Sequence, residues 1–283
     1  DRIKTLIRVR SEVQVFPDPP IVSFISMLFL FLNINKEKLM KYLLTIILSF
    51  GCFAFANASE LPPSVSAEYF GCKLDDNKDL NDLNTWVKKW NRWMDSSDLG
   101  EYEASLLTPL YRSPNDELDF MWVGRTNSWK ELARGQSAYR SSGLAGTFPA
   151  KSCPFSFITR QIPVNGTDFR DQMNQDEFVA AYWLCNIEKG KSIEDVYSLQ
   201  ERRMKNISES GNVIASRIVV PRQGTPEAIR DYDFVMLYVS PSLEQWGANV
   251  DNYVTNIQGS EEDSMDGVFS CDHSTVYVGR TVR

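Results

Sequence analysis

The chain has 283 residues, with 30 Lys and Arg against 37 Asp and Glu, and a net charge of −7. An acidic balance disfavours sequence-independent nucleic-acid binding, which works by neutralising phosphates, and docking on anionic lipid. The length leaves room for two small domains, each burying a modest core, once a leader is set aside.

Residues 1–39 mix basic side chains, Pro19-Pro20 and an apolar run from Ile21 to Leu32 that is too short to cross a bilayer. They read as sequence upstream of a true start at Met40. Met40-Lys41, the apolar stretch Tyr42 to Ala56 and the small-x-small site Ala56-Asn57-Ala58 together predict a secretory signal over 40–58, cleaved after Ala58. A lipoprotein signal ending at Cys52 is the rival, and Ser49 and Phe50 fit it poorly. The expectation is a periplasmic or secreted protein with no stable membrane insertion after cleavage. The leader carries more basic than acidic residues, so the mature chain is more acidic still.

The first unit, 66–162, opens with a strand from Ala67 to Leu74. Leu83, Trp86, Val87, Trp90, Trp93 and Met94 recur at spacings of three and four, which predicts an amphipathic helix over 80–95 capped by Asp79 or Asn81. Strands follow at 102–111 and 118–125, with a turn at Ser113-Pro114-Asn115-Asp116 between them. Ser128 and Glu131 make the Ser-x-x-Glu pattern of a capping box ahead of a helix to Tyr139. Ser152 to Ile162 closes the unit as a strand. A linker, 163–176, contains Asn165-Gly166.

The second unit, 177–283, repeats that order. Strands are expected at 177–187, 212–220, 232–240 and 268–282, and helices from Ile193 to Ile207 and from Ser242 to Ile257. Pro221 to Asp231 reads as a turn-rich link. Ser242 and Gln245 repeat the capping-box pattern. Short segments also recur in order. Tyr69-Phe70-Gly71-Cys72 returns as Tyr182-Trp183-Leu184-Cys185, Glu103-Ala104-Ser105-Leu106 as Ile214-Ala215-Ser216-Arg217, Asp119-Phe120 as Asp233-Phe234, and Ser152-Cys153 as Ser270-Cys271. The run after Asp119 and Asp233 reaches Tyr139 and Tyr253 without a gap. An internal repeat of this kind sets the architecture.

Four cysteines lie beyond the signal, and an even number in an exported chain favours disulfides; four allow three connectivities. Cys72 and Cys185 occupy one equivalent position, Cys153 and Cys271 the other. Symmetry therefore favours Cys72–Cys153 and Cys185–Cys271. Each unit reads strand-helix-strand-strand-helix-strand, the ferredoxin-like motif, which makes its first and last strands neighbours in an antiparallel sheet. That places each cysteine beside its symmetry-chosen partner.

The predicted class is α+β, with two tandem ferredoxin-like (βαββαβ) repeats whose antiparallel sheets pack face to face. On element order and duplication the chain resembles the dimeric α+β barrel superfamily, as a pseudo-dimeric fused form. That superfamily includes antibiotic-biosynthesis monooxygenases, stress-responsive barrel proteins and chlorite-dismutase-like haem proteins. The resemblance covers about Ala67 to Val282. It implies a fold and transfers no activity by itself.

Candidate chemistry is sparse. His273 is the sole histidine and the sole imidazole for a haem; beside a cysteine on a strand it reads as a surface residue, not a metal ligand. Trp86, Trp90, Trp93 and Trp122 suit core packing or a ligand pocket. Trp183 and Trp246 of the second unit have the same double reading. Arg125, Arg134 and Arg160 suit an anionic ligand, Arg125 most of all because it sits just before the helix start at Ser128, and surface ion pairing is the favoured reading against it. Tyr139, matched by Tyr253, offers a hydroxyl on a helix face. Arg125, Trp122 and Tyr139 are the ligand-binding candidates. No phosphate loop, nucleophile elbow or metalloprotease helix is present, so no catalytic residue is assigned. The acidic clusters around Asp176-Glu177 and Glu261-Glu262-Asp263 lack a calcium-loop pattern. The sequence thus reads as a non-catalytic or small-molecule-binding barrel without a cofactor, its partner a small apolar or aromatic molecule. The alternative is an oxidative enzyme resembling cofactor-free monooxygenases or haem-using barrels.

Overall fold

A computed structural model describes residues 60–111, 118–164, 177–265 and 267–283. The upstream segment 1–39, the signal 40–58 and linker residues 165–176 fall outside them. All described residues lie in one compact unit, Asn57–Arg283.

Among the described residues, eight strands and four α-helices follow in chain order: β1 Val65–Leu74, α1 Leu80–Asp95, β2 Glu103–Pro109, β3 Phe120–Thr126, α2 Trp129–Ser141, β4 Ala150–Val164, β5 Phe178–Ile187, α3 Ile193–Glu209, β6 Ala215–Gln223, β7 Phe234–Ser240, α4 Leu243–Asn256 and β8 Phe269–Thr281. The strands pair antiparallel in the order β1-β3-β2-β8-β5-β7-β6-β4, and β4 returns to β1 to close a barrel. The first half runs β4-β1-β3-β2 and the second β8-β5-β7-β6. The expected barrel is present, and beyond face-to-face packing the halves also join edge to edge through β2–β8 and β4–β6. Edge pairing satisfies the backbone groups that two open sheets would leave unpaired, which is how barrels remove edges.

Strand alternation sends successive side chains to opposite faces. Ala67, Tyr69, Leu107, Met121 and Val123 of the first half meet Phe178, Ala180, Val219, Val235 and Leu237 of the second inside the barrel. Tyr69 packs edge-on against Tyr182, and Gln161 Nε2 donates to its hydroxyl at 2.7 Å, so side chains fill the interior. The opposite faces lie under the helices. Phe120, Trp122, Ala104 and Leu106 pack on α1, while Phe234, Met236 and Ile218 pack on α3.

The helices begin where their caps place them. Asp79 accepts from the backbone N–H groups of Asn81 and Asp82, and Asp82 answers the Asp79 N–H, so α1 opens with a full capping box. Ser192 and Asp195 do the same for α3. At α2 and α4 only half of the expected box forms. Ser128 accepts from Glu131 N and Ser242 from Gln245 N, but the Gln245 amide goes on to Asn249 and the Glu131 carboxyl turns to a cavity.

Disulfides join Cys72 to Cys153 and Cys185 to Cys271, across β1–β4 and β5–β8. Two sequence expectations need correction. Strand β6 continues through Pro221, opposite Thr159, where the register shifts. The match of Glu103-Ala104-Ser105-Leu106 to Ile214-Ala215-Ser216-Arg217 slips by one residue. Ala104 pairs with Gly124 of β3, and Ser216 pairs with Tyr238 at the corresponding place in β7. A one-residue slip exchanges the two faces of a strand. The structural counterpart of Tyr102 is accordingly Ile214.

Candidate functional site

Glu68 lies in an apolar run of β1 and points under the helices, 3 % exposed. Its neighbour across the ladder is Gly124 of β3. A Cβ at position 124 would stand 1.8 Å from the Tyr102 hydroxyl oxygen. The missing side chain is therefore the space through which Tyr102, just ahead of β2, crosses the strand. Its hydroxyl donates to Glu68 Oε1 at 2.6 Å and accepts from Trp122 Nε1 at 3.0 Å. From α2, Gln136 Nε2 donates to the other carboxyl oxygen at 2.6 Å.

These groups line a cavity of about 350 Å³ between the outer face of the first-half sheet and helices α1 and α2. Trp86, Trp90 and Trp93 enter from α1, and Tyr139 and Glu131 from α2. Trp90 meets Trp122 edge-on at 4.8 Å, and Trp86 meets Tyr139 edge-on at 6.2 Å. The tryptophan stripe thus serves as both core and cavity wall. Volumes of this order suit small molecules.

Burial pushes the Glu68 carboxyl above its ordinary value, and the bonds from Tyr102 and Gln136 oppose that rise. Burial, then the nearby Glu68 charge, raise Tyr102 well above 10 and Tyr139 to about 12. The two hydroxyls keep their protons, and Glu68 is the group poised to exchange one. A buried, perturbed acid in a cleft is a signature of functional sites.

The second half has a corresponding cavity of about 310 Å³ with different chemistry. Ala181 stands where Glu68 does, and Tyr238 occupies the place of Gly124. Its hydroxyl accepts from Gln200 Nε2 at 3.0 Å. Arg203, at the Trp90 position, donates to Asp263 Oδ1 at 2.6 Å and to Gln200 Oε1 at 3.0 Å. Tyr253 donates to Asp263 Oδ2 at 2.7 Å. Tyr238, Gln200, Arg203, Asp263 and Tyr253 thus form one hydrogen-bonded chain.

Among the candidates read from the sequence, Trp122 and Tyr139 line the first cavity and Arg125 does not. Arg125 pairs with Glu103 at 2.9 Å on the other face of the sheet. Arg160 donates to Ser64 Oγ at 3.1 Å. His273 is exposed on β8. Sequence reasoning missed Glu68, Tyr102, Gln136 and Glu131. The signal for Glu68 was a lone carboxyl inside the apolar stretch Ala67 to Phe70.

No protein-family model and no curated protein matches the sequence. Solved structures do. A candidate chlorite dismutase is 11 % identical, covering 78 % of this chain and 96 % of its own, with a TM-score of 0.48. A cyanide complex of a mutant chlorite dismutase from Candidatus Nitrospira defluvii is 10 % identical, covering 77 % and 91 %, with a TM-score of 0.45. A haem-binding protein from Thermus thermophilus is 12 % identical, covering 78 % and 92 %, with a TM-score of 0.43. The chain is similar to chlorite-dismutase-type proteins. These neighbours agree with the superfamily resemblance drawn from element order. The non-catalytic reading of the sequence is corrected by the cavity itself: it gives no role to the buried, raised Glu68 carboxyl, which the oxidative alternative uses.

Haem itself does not fit the residues of the first cavity. A haem iron takes an axial imidazole, thiolate, thioether or phenolate. The one imidazole is exposed on β8 outside both cavities, and Cys72, Cys153, Cys185 and Cys271 are bound in disulfides. The Tyr102 hydroxyl is committed to Glu68 and Trp122, the Met94 thioether is packed into the aromatic core of α1, and burial keeps the proton on the Tyr139 hydroxyl. Two carboxyls and no Lys or Arg line the cavity, which suits the anionic propionates of haem badly.

Proposed function

We propose that the protein is an oxidative enzyme of the cofactor-free kind, with Glu68 as the proton acceptor for a small aromatic substrate held in the first-half cavity. The observation that carries this reading is the Glu68 carboxyl, buried among tryptophans and raised by burial. Catalytic bases are tuned upward by burial in this way. Trp122 and Tyr139 form part of the binding wall. Tyr102 and Gln136 orient the carboxyl and keep one oxygen each engaged. With a hydroquinone as substrate, Glu68 takes one hydroxyl proton. Dioxygen, the co-reactant, receives the two electrons and two protons as hydrogen peroxide, and the ring leaves as the quinone.

We further infer a tandem duplication of ferredoxin-like units over 66–162 and 177–283. Matching strand orders, matching disulfides and the pair of corresponding cavities support it. The unit 1–39 is read as upstream sequence, and 40–58 as a cleaved signal for export to a periplasmic or extracellular space. Two disulfides support an oxidising compartment. No helix among the described residues is long and apolar enough to cross a membrane.

The test is dioxygen uptake with 1,4-dihydroxynaphthalene followed across pH, rising as Glu68 ionises and measured above the protein-free rate. Uptake by the wild type that falls at least a hundredfold in Glu68→Gln is expected. Equal rates in the two proteins, at equal melting temperature, overturn the assignment of Glu68.

A further inference from the structure

We infer that the first-half cavity selects cationic ligands, a protonated amine or a quaternary ammonium carried on an apolar body. This goes beyond the proposed function and rests only on the cavity it uses. Two carboxyls, Glu68 and Glu131, line the space, and no Lys, Arg or His does. Glu131 Oε2 is buried there without a hydrogen-bond partner, since the expected capping box at Ser128 is only half made. The walls are Trp86, Trp90, Trp93 and Trp122. Indole faces attract cations, most strongly where water is displaced, and aromatic cages bind quaternary ammonium groups. A carboxylate in an apolar setting is costly unless paired. A cation in the cavity would relieve that cost at two carboxyls at once. An anionic ligand would add to it.

The second-half cavity supplies the contrast. Its Trp90 counterpart is Arg203, already paired with Asp263, and its Glu68 counterpart is Ala181. Cation selectivity therefore belongs to one half of the barrel.

The experiment measures equilibrium binding of phenyltrimethylammonium and of its neutral isostere tert-butylbenzene, by calorimetry and tryptophan fluorescence, on the full folded chain. The cation should bind at least tenfold more tightly than the isostere. Glu131→Gln and Glu68→Gln should each weaken the cation severalfold while leaving tert-butylbenzene within a factor of two. Glu131→Gln alone keeps the test readable if Glu68→Gln fails to fold. Equal affinities, or cation binding untouched by either substitution, overturn the inference and leave the aromatic cavity standing. Failure of both probes to bind overturns the cavity reading as well.

Discussion

Replacing Tyr102 with Phe removes one oxygen and breaks two bonds. Glu68 Oε1 loses its 2.6 Å donor and the Trp122 indole N–H loses its 3.0 Å acceptor, both out of water. Each unmet buried group costs about 1–3 kcal/mol, with charged groups at the upper end, so the variant should lose about 3–5 kcal/mol where Glu68 is ionised. The loss should depend on pH. The folded-state value of Glu68 is raised above its ordinary 4.5. Its contribution to stability is therefore fully present below that value and is lost as pH rises through the folded one. Taking away a donor that opposes the rise moves the folded value higher still. The gap between variant and wild type should then widen from pH 4.5 to pH 8. Urea unfolding followed by tryptophan fluorescence at both pH values measures it. A deficit under 1 kcal/mol that is the same at both would refute the hydrogen-bonded cluster around Glu68.

Gly124→Ala should cost about 1–3 kcal/mol by overpacking, and should also lower affinity for aromatic probes, because its Cβ lands on the Tyr102 hydroxyl; thermal melts with and without probe read both effects. Trp90→Ala removes a side chain 5 % exposed and should cost about 3–5 kcal/mol in chemical unfolding. Peptide mapping without reductant should recover Cys72 linked to Cys153 and Cys185 linked to Cys271. A Cys72–Cys185 link would contradict the within-half pairing.

Much of the framework was legible in the sequence because local chemistry carries it. The apolar stripe and Asp79 mark α1 at 80–95, the span observed, and symmetry of the cysteines leads to the two bridges. What escaped depends on distant partners. The slip at β2 and β6 is invisible without the ladder, because Ala-Ser occurs in both segments and only pairing with Gly124 or Tyr238 fixes the register. Position before a helix start offered Arg125 two readings, an anion site or a surface ion pair, and strand alternation turns it to the ion pair with Glu103. Glu131 looked like a cap because of its spacing, whereas its carboxyl lines the cavity. Glu68 gains meaning only when Gly124 lets Tyr102 through.

Difference infrared spectroscopy of wild type against Glu68→Gln, followed across pH, tests the buried proton acceptor most directly. A protonated-carboxyl band, absent from the variant, should persist above pH 4.5 and shift when an aromatic probe binds. A carboxylate already ionised below pH 4.5, indifferent to the probe, would contradict it.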